Sequence, residues 1–247
     1  MAGGKKRLDL VLVERGLAPS RTIAQGLILA GKVLSETKRL DKPGQLVDDA
    51  IALTVKEKEH PWVSRGGVKL NYALDHFRID VKDAVGLDIG ASTGGFTDVL
   101  LSRGAAKVYA IDVGHNQLDW KLRQDPRVIA QEGVNARYLT EENVPEAVDI
   151  IVCDVSFISL TLALPAALKF AKKGAWLAAL IKPQFEVGKE NVGKGGIVRD
   201  PSLHQEVCRK IENWLTSLQD WRIEGIIDSP ITGTDGNKEF LLTARKI

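Results

Sequence analysis

The sequence predicts an α/β fold: a mostly parallel sheet wound with helices and carrying an antiparallel last strand, preceded by a small α+β module. Three observations predict it. From Ala84 onward, short apolar runs of strand character alternate with segments of helical periodicity. The first of those runs ends at Asp88 and is followed by glycines at 90, 94 and 95 and then a helical segment, the turn with which α/β folds hold nucleotide-like ligands. Charge is also unevenly spread, since residues 1–39 carry eight Lys or Arg against three Asp or Glu, whereas residues 61–247 carry 23 against 24. A basic head of this kind points to a polyanionic partner.

Residues 5–55 read as a separate module. Leu8, Val11 and Leu12 stand at helical spacing within Arg7–Arg15, which Gly16 closes. Ser20 is an N-cap for a second helix with Ile23, Leu27 and Ala30 on one face, ended by Gly31. Two strand candidates, 32–34 and 51–55, flank a polar loop holding Lys38, Arg39, Lys42 and the turn pair Pro43-Gly44. By themselves these charges fit a solvated face as well as an RNA-binding one. The pattern Arg-Leu-Asp-Xaa-Xaa-Leu, then Ser20-Arg21 and Ala24, then Ala30-Gly31-Lys32-Val33, resembles the S4 RNA-binding domain. After Val33 the chain has Leu-Ser-Glu-Thr where that family usually has a Val-Asn-Gly turn. The resemblance implies that Lys6, Arg7, Arg21, Gln25 and Lys32 approach RNA phosphates. The charged stretch from Lys56 to Pro61 reads as a connection, giving an S4-like domain over 1–59, a linker over 60–66 and a second domain over 67–247.

In the second domain, Leu70, Ala73, Leu74 and Phe77 recur at helical spacing, placing Lys69 in the first turn of a helix, where a cation is electrostatically misplaced. The expected series then runs strand 84–89, helix 96–103, strand 107–112, helix 116–122, strands 128–130 and 149–153, helix 160–171 and strand 175–181. A long Gly- and Pro-containing loop, 183–198, reads as mobile or substrate-facing. Asp200 caps a helix with Pro201 in its first turn, reaching about Leu218. Strands over 221–227 and 239–244, joined by a Gly/Asp/Asn-rich loop, suit a hairpin and an antiparallel edge.

The loop after Asp88 selects between cofactors. A dinucleotide fingerprint would place glycines at 90, 92 and 95, but residue 92 is Ser. Asp112 ends the next strand, where a carboxylate could accept ribose hydroxyls in either class. The acidic strand end before Gly90 favours S-adenosylmethionine, which carries an ammonium and a sulfonium and no pyrophosphate. Four charges, Lys69, Asp154, Lys182 and Glu239, stand at helix starts or strand ends that such a topology brings to one sheet edge. Singly each reads as a solvated terminus; together they read as a site.

This set resembles the Lys-Asp-Lys-Glu tetrad of the RrmJ/FtsJ-type ribose 2′-O-methyltransferases, which are Rossmann-like S-adenosylmethionine-dependent enzymes. Ser64-Arg-Gly-Gly-Xaa-Lys69, Asp88-Ile-Gly-Ala-Ser-Thr-Gly-Gly-Phe-Thr, Asp154-Val-Ser-Phe-Ile-Ser, Lys182-Pro-Gln-Phe-Glu and Gly236-Asn-Xaa-Glu239-Phe-Leu are similar to the motifs of the TlyA (haemolysin A) family, over essentially the whole chain. The resemblance implies methylation of ribosomal RNA, alone or in ribosomal subunits, at cytidine ribose in small-subunit RNA, large-subunit RNA or both. Lys182 would then be the general base or hydroxyl orienter, because a second cation and burial can keep a lysine neutral. Asp154 would position it near the methyl donor, and Lys69 and Glu239 would hold the ribose. The cofactor would lie over Gly90, Ala91, Ser92, Gly94, Gly95 and Phe96, with Asp88 and Asp154 nearby, Asp112 and Val113 at its ribose and Asn135, or in competition Glu132, near adenine. Arg65 joins the expected RNA contacts.

Cys153 and Cys208 form neither a CxxC nor a Cys/His cluster, so neither a disulfide framework nor a metal is expected. The apolar stretch from Leu8 to Val13 is too short and too charged for a secretion signal, and no run reaches the roughly 18 apolar residues of a spanning helix. A cytoplasmic protein without membrane contact, monomeric or weakly dimeric, is therefore expected. The alternatives are a non-catalytic RNA-binding or assembly factor of the same fold, and a membrane-acting haemolysin, for which the sequence offers no amphipathic cationic helix of useful length.

Overall fold

The structure is a computed structural model that describes residues 4–56 and 60–247; residues 57–59 of the expected connection lie outside the described residues. The chain divides into two compact units, Met1–Pro61 and Trp62–Ile247.

In the first unit the order is β1 (Lys5–Arg7), α1 (Leu8–Glu14), α2 (Arg21–Leu29), β2 (Val33–Ser35), β3 (Lys38–Arg39), β4 (Leu46–Asp48) and β5 (Thr54–Val55). The expected helices form where their apolar spacing places them, and the Ser20 hydroxyl accepts the Ile23 N–H at the start of α2. Sequence periodicity misses β1, β3 and β4 because two- and three-residue strands carry too little alternation to register. β1 pairs antiparallel with β4, and β2 pairs antiparallel with both β3 and β5. Leu8, Leu12, Ile28 and Val33 close a core from which the basic side chains are turned outward.

The second unit begins with α3 (Gly66–His76), β6 (Val85–Ile89), α4 (Gly95–Ser102), β7 (Lys107–Asp112), α5 (Trp120–Arg123), β8 (Val128–Glu132) and β9 (Val148–Cys153). It continues through α6 (Leu160–Ala163), α7 (Pro165–Leu168), β10 (Ala171–Ile181), α8 (Pro201–Ser217), β11 (Trp221–Asp228) and β12 (Phe240–Lys246). The seven strands form one sheet in the order β11-β12-β10-β9-β6-β7-β8. β12 is antiparallel to both of its neighbours, and the pairs from β8 through β10 are parallel.

β9 shows why both faces of the sheet are covered. Ile150 and Val152 point into a core with Leu70 and Leu74 of α3 and Val99 and Leu100 of α4, while Ile151 and Cys153 point into a second core with Val207, Ile211 and Leu215 of α8. Each such fully buried branched side chain contributes about 1.5–3 kcal/mol relative to exposure.

Three expectations are corrected. The helix expected over 160–171 is two short helices, because Pro165 can begin a helix but cannot donate within one. The helix expected from Asn116 starts at Trp120, capped by Asp119, since Asn116 is held at φ 56. The last two strands pair as the expected antiparallel hairpin, with β11 at the sheet edge and β12 inside it, whereas β10 begins four residues early across a register shift near Gly174.

Candidate active site

The direction of winding reverses between β6 and β9, and the crevice outside their carboxyl ends is where α/β sheets bind ligands. Gly90 and Asp154 follow these two strands directly. Two adjoining cavities, of about 320 and 310 Å³, open there and share Gly90, Ser92, Asp154 and Ser156 in their walls.

Lys69, Asp154, Lys182 and Glu239 all line the first cavity. Lys69 comes from α3, Asp154 follows β9, Lys182 follows β10 and Glu239 precedes the antiparallel β12, whose Phe240 pairs with Ile181. An antiparallel strand beginning at the edge where parallel strands end is what brings Glu239 to the other three. The four form two ion pairs, Lys69 Nζ to Glu239 Oε2 and Lys182 Nζ to Asp154 Oδ1, each 2.6 Å. The pairs differ in depth: the Lys69 and Glu239 side chains are 7% and 2% exposed, those of Lys182 and Asp154 11% and 21%. The deeper pair neutralises a buried cation in the first turn of α3. In the shallower pair Asp154 faces both cavities and Lys182 the first, and Lys182 Nζ also donates to Ser156 Oγ at 2.9 Å.

The Gly90 loop follows its backbone requirements. Gly90 has φ +80, and a Cβ there would lie 2.9 Å from the Asp154 carbonyl oxygen. At Gly95 a Cβ would meet Ser64 Oγ and the Gly67 nitrogen, so α4 and the 64–67 segment can approach only without one. Gly90, Ala91, Ser92, Gly95 and Phe96 reach the first cavity. Asp112, Val113 and Asn135 line the second, with Ile111, Val134 and Ala163 as its apolar wall. The Asp112 oxygens accept the backbone N–H groups of Ser92 and Gly114, both at 2.7 Å, and the Asn135 carbonyl oxygen accepts the Arg137 N–H. Gln117, which sequence reading did not single out, also lines this cavity and accepts from Ser92 Oγ.

Three expected cofactor residues lie elsewhere. The Asp88 carboxylate lines neither cavity: it is fully buried, and its Oδ2 accepts both the N–H and the hydroxyl of Thr97 at the start of α4. Burial lifts its pKa from 3.8 to about 7, against the Thr97 donors. Gly94 faces Leu118 and Leu122. Glu132 lines neither cavity and is paired with Arg123 at 2.5 Å.

In the first unit, Asp9 is fully buried and gathers the expected RNA residues. It accepts from Arg7 Nε and Nη2, Arg21 Nε and Gln25 Nε2 at 2.9–3.1 Å. Arg7 foremost holds its carboxyl well below the usual range. In the sequence Asp9 reads only as an interruption of an apolar run; a carboxylate on the buried face of a helix beside several cations was the available signal. Lys6 pairs with Glu14 and Asp49, while Lys32 stands apart from this cluster. Arg65 belongs to the second unit, where it lines the first cavity and donates to the Thr232 carbonyl.

The FtsJ-like methyltransferase family model matches residues 62–246, and the S4 domain model matches residues 6–50. The 16S/23S rRNA (cytidine-2′-O)-methyltransferase TlyA of Mycobacterium tuberculosis is 49% identical over 242 residues, covering 98% of this chain and 90% of that protein. Hemolysin A of Brachyspira hyodysenteriae is 41% identical over 238 residues, covering 95% of this chain and 98% of its own. The structure of a Streptococcus thermophilus protein bearing the name hemolysin superposes with a TM-score of 0.75 at 44% identity, over 99% of this chain and 90% of that one. Among the described residues no helix is long and apolar enough to cross a membrane. The chain belongs to the FtsJ-like methyltransferase family, with an S4 domain preceding the methyltransferase domain.

Proposed function

We propose that the chain transfers a methyl group from S-adenosylmethionine to a ribose 2′-hydroxyl of ribosomal RNA, free or within ribosomal subunits, with cytidine as the acceptor nucleoside. The observation that carries this reading is the Lys182–Asp154 pair at the seam of two cavities, one suited to the donor and one to the acceptor. The second cavity fits S-adenosylmethionine by its donor set: an acidic residue for ribose hydroxyls, an amide at Asn135 and an apolar wall for adenine. That molecule supplies an electrophilic methyl group on a sulfonium. The names of the TlyA relatives of Mycobacterium tuberculosis and Campylobacter jejuni, the latter 36% identical over 208 residues, support cytidine ribose as the acceptor.

Lys182, in its neutral form, accepts the hydroxyl proton as the oxygen bonds to the methyl carbon and the carbon–sulfur bond breaks with its electron pair on sulfur. Asp154 holds that amine at the seam of the cavities, and Lys69 and Glu239 orient the ribose from the cavity floor. Arg7, Arg21, Gln25, Lys6 and Lys32 supply phosphate contacts, joined by Arg65 at the cavity rim. Methyl incorporation from labelled S-adenosylmethionine into isolated ribosomal subunits tests the reading. The Lys182→Ala variant is expected to lose incorporation by at least about a hundredfold and to retain cofactor binding by calorimetry. Retained transfer in that variant would overturn the assignment of the base, and tight rRNA binding without incorporation by the unaltered protein would overturn the enzyme reading.

A further inference from the structure

Ser156 is used by neither the tetrad nor the cofactor loop, yet it stands in the walls of both cavities, and its Oγ accepts a hydrogen bond from Lys182 Nζ at 2.9 Å. We propose that Ser156 is a positioning residue that sets the direction in which the Lys182 amine presents itself to the ribose hydroxyl. The inference rests on the reading of Lys182 as the group that receives the hydroxyl proton.

The argument is geometrical. A lysine nitrogen has three directions beyond its bond to Cε. Asp154 Oδ1 occupies one at 2.6 Å and Ser156 Oγ a second, which leaves one for the cavity that Lys182 lines. In the neutral amine the two N–H groups go to the two acceptors, and the lone pair takes the third direction. With Asp154 as the single acceptor, rotation about Cε–Nζ would spread that lone pair over several directions. Phe157 is held at φ 64, a region a bulky residue adopts only when its surroundings impose it. Its ring packs on Phe185 with centroids 5.0 Å apart, and Phe185 closes the turn that begins at Lys182 through its N–H to the Lys182 carbonyl. The two rings meet between the turn bearing Ser156 and the turn bearing Lys182, with Phe157 91% exposed to solvent.

The test is a Ser156→Ala variant beside Ser156→Thr, which keeps the hydroxyl. Ser156 is exposed, so neither change opens the core. Ser156→Ala is expected to lower kcat about ten- to a hundredfold at saturating cofactor, with unchanged affinity for S-adenosylmethionine, and Ser156→Thr to restore most of it. An acceptor on an ammonium favours its charged form, so the alanine variant should also move the acidic limb of the pH–rate profile to lower pH. The charged groups sharing the cavity with Lys182 are Asp154, Lys69, Glu239 and Arg65, and the substitution alters none of them. Trace acetylation of Lys182 at graded pH, read by peptide mass spectrometry, measures the same shift without any RNA. An unchanged rate, an unchanged Lys182 titration, or a loss confined to cofactor affinity would each overturn the proposal. If the unaltered protein transfers no methyl group, the proposed function fails, and the acetylation profile still judges whether Ser156 governs Lys182.

Discussion

Lys69 and Glu239 illustrate how a buried charge pair behaves under substitution. Their side chains are 7% and 2% exposed, so removing one partner strands the other in a low dielectric at a cost of about 3–5 kcal/mol. Glu239→Ala should therefore lower the free energy of unfolding by that amount in urea titrations. The double variant Lys69→Met/Glu239→Leu should recover most of the stability while methyl transfer stays absent, which separates folding from chemistry. Asp88 gives a second test. Because the folded chain holds this proton up to about pH 7 and the unfolded chain releases it near 3.8, the Asp88 contribution to stability declines as pH rises between those values and is level above them. Asp88→Asn should lack that decline, so the variant gains on the original protein between about pH 4 and about pH 7 in denaturation midpoints. At this scale the sequence was informative where a charge interrupts an apolar strand end, as at Asp154 and Lys182. It was faint where a polar residue serves another residue, as Asp9 serves Arg21 and Gln25, because that relation is made between α1 and α2.

The elements that carry the site were legible to within a few residues, since β6, β7 and β9 are runs of buried side chains and α8 has a capping Asp and a Pro in place. What escaped was decided by contacts outside the element. The loop 183–198 read as mobile or substrate-facing, and Asn237, 1% exposed, secures its far end: its side-chain oxygen accepts the Val198 N–H and its side-chain amide donates to the Gly196 carbonyl. His204 Nε2 lies 2.9 Å from the Val198 carbonyl and adds a tie from α8. Asn237→Ala should leave those two backbone groups unsatisfied at a cost of about 1–3 kcal/mol. Hydrogen exchange should rise over 193–198 and stay unchanged in β6 and β9; equal exchange in both proteins would show that Asn237 does not hold the loop.

At the scale of the whole molecule, the proposed function assigns recognition to one unit and reaction to the other. The basic head visible in the sequence becomes a cluster set around Asp9, and the nearly neutral remainder becomes the methyltransferase unit. Each RNA phosphate contact that is lost should reduce the slope of log K against log salt by about 0.7–0.9. Arg21→Gln should thus weaken binding to ribosomal subunits with a shallower salt dependence, while S-adenosylmethionine affinity stays constant; an unchanged slope would remove Arg21 from the interface.

The placement of β12 has a bearing on how the chain matures. β11 precedes β12 in sequence but lies outside it in the sheet, so β11 has no partner until β12 has inserted between it and β10. Until that moment the nascent sheet offers open edges on β10 and β11, the kind of surface that recruits other chains into aggregates. The same insertion delivers Glu239 to Lys69. Docking of β12 on β10 therefore closes that open edge and brings Glu239 to Lys69 together.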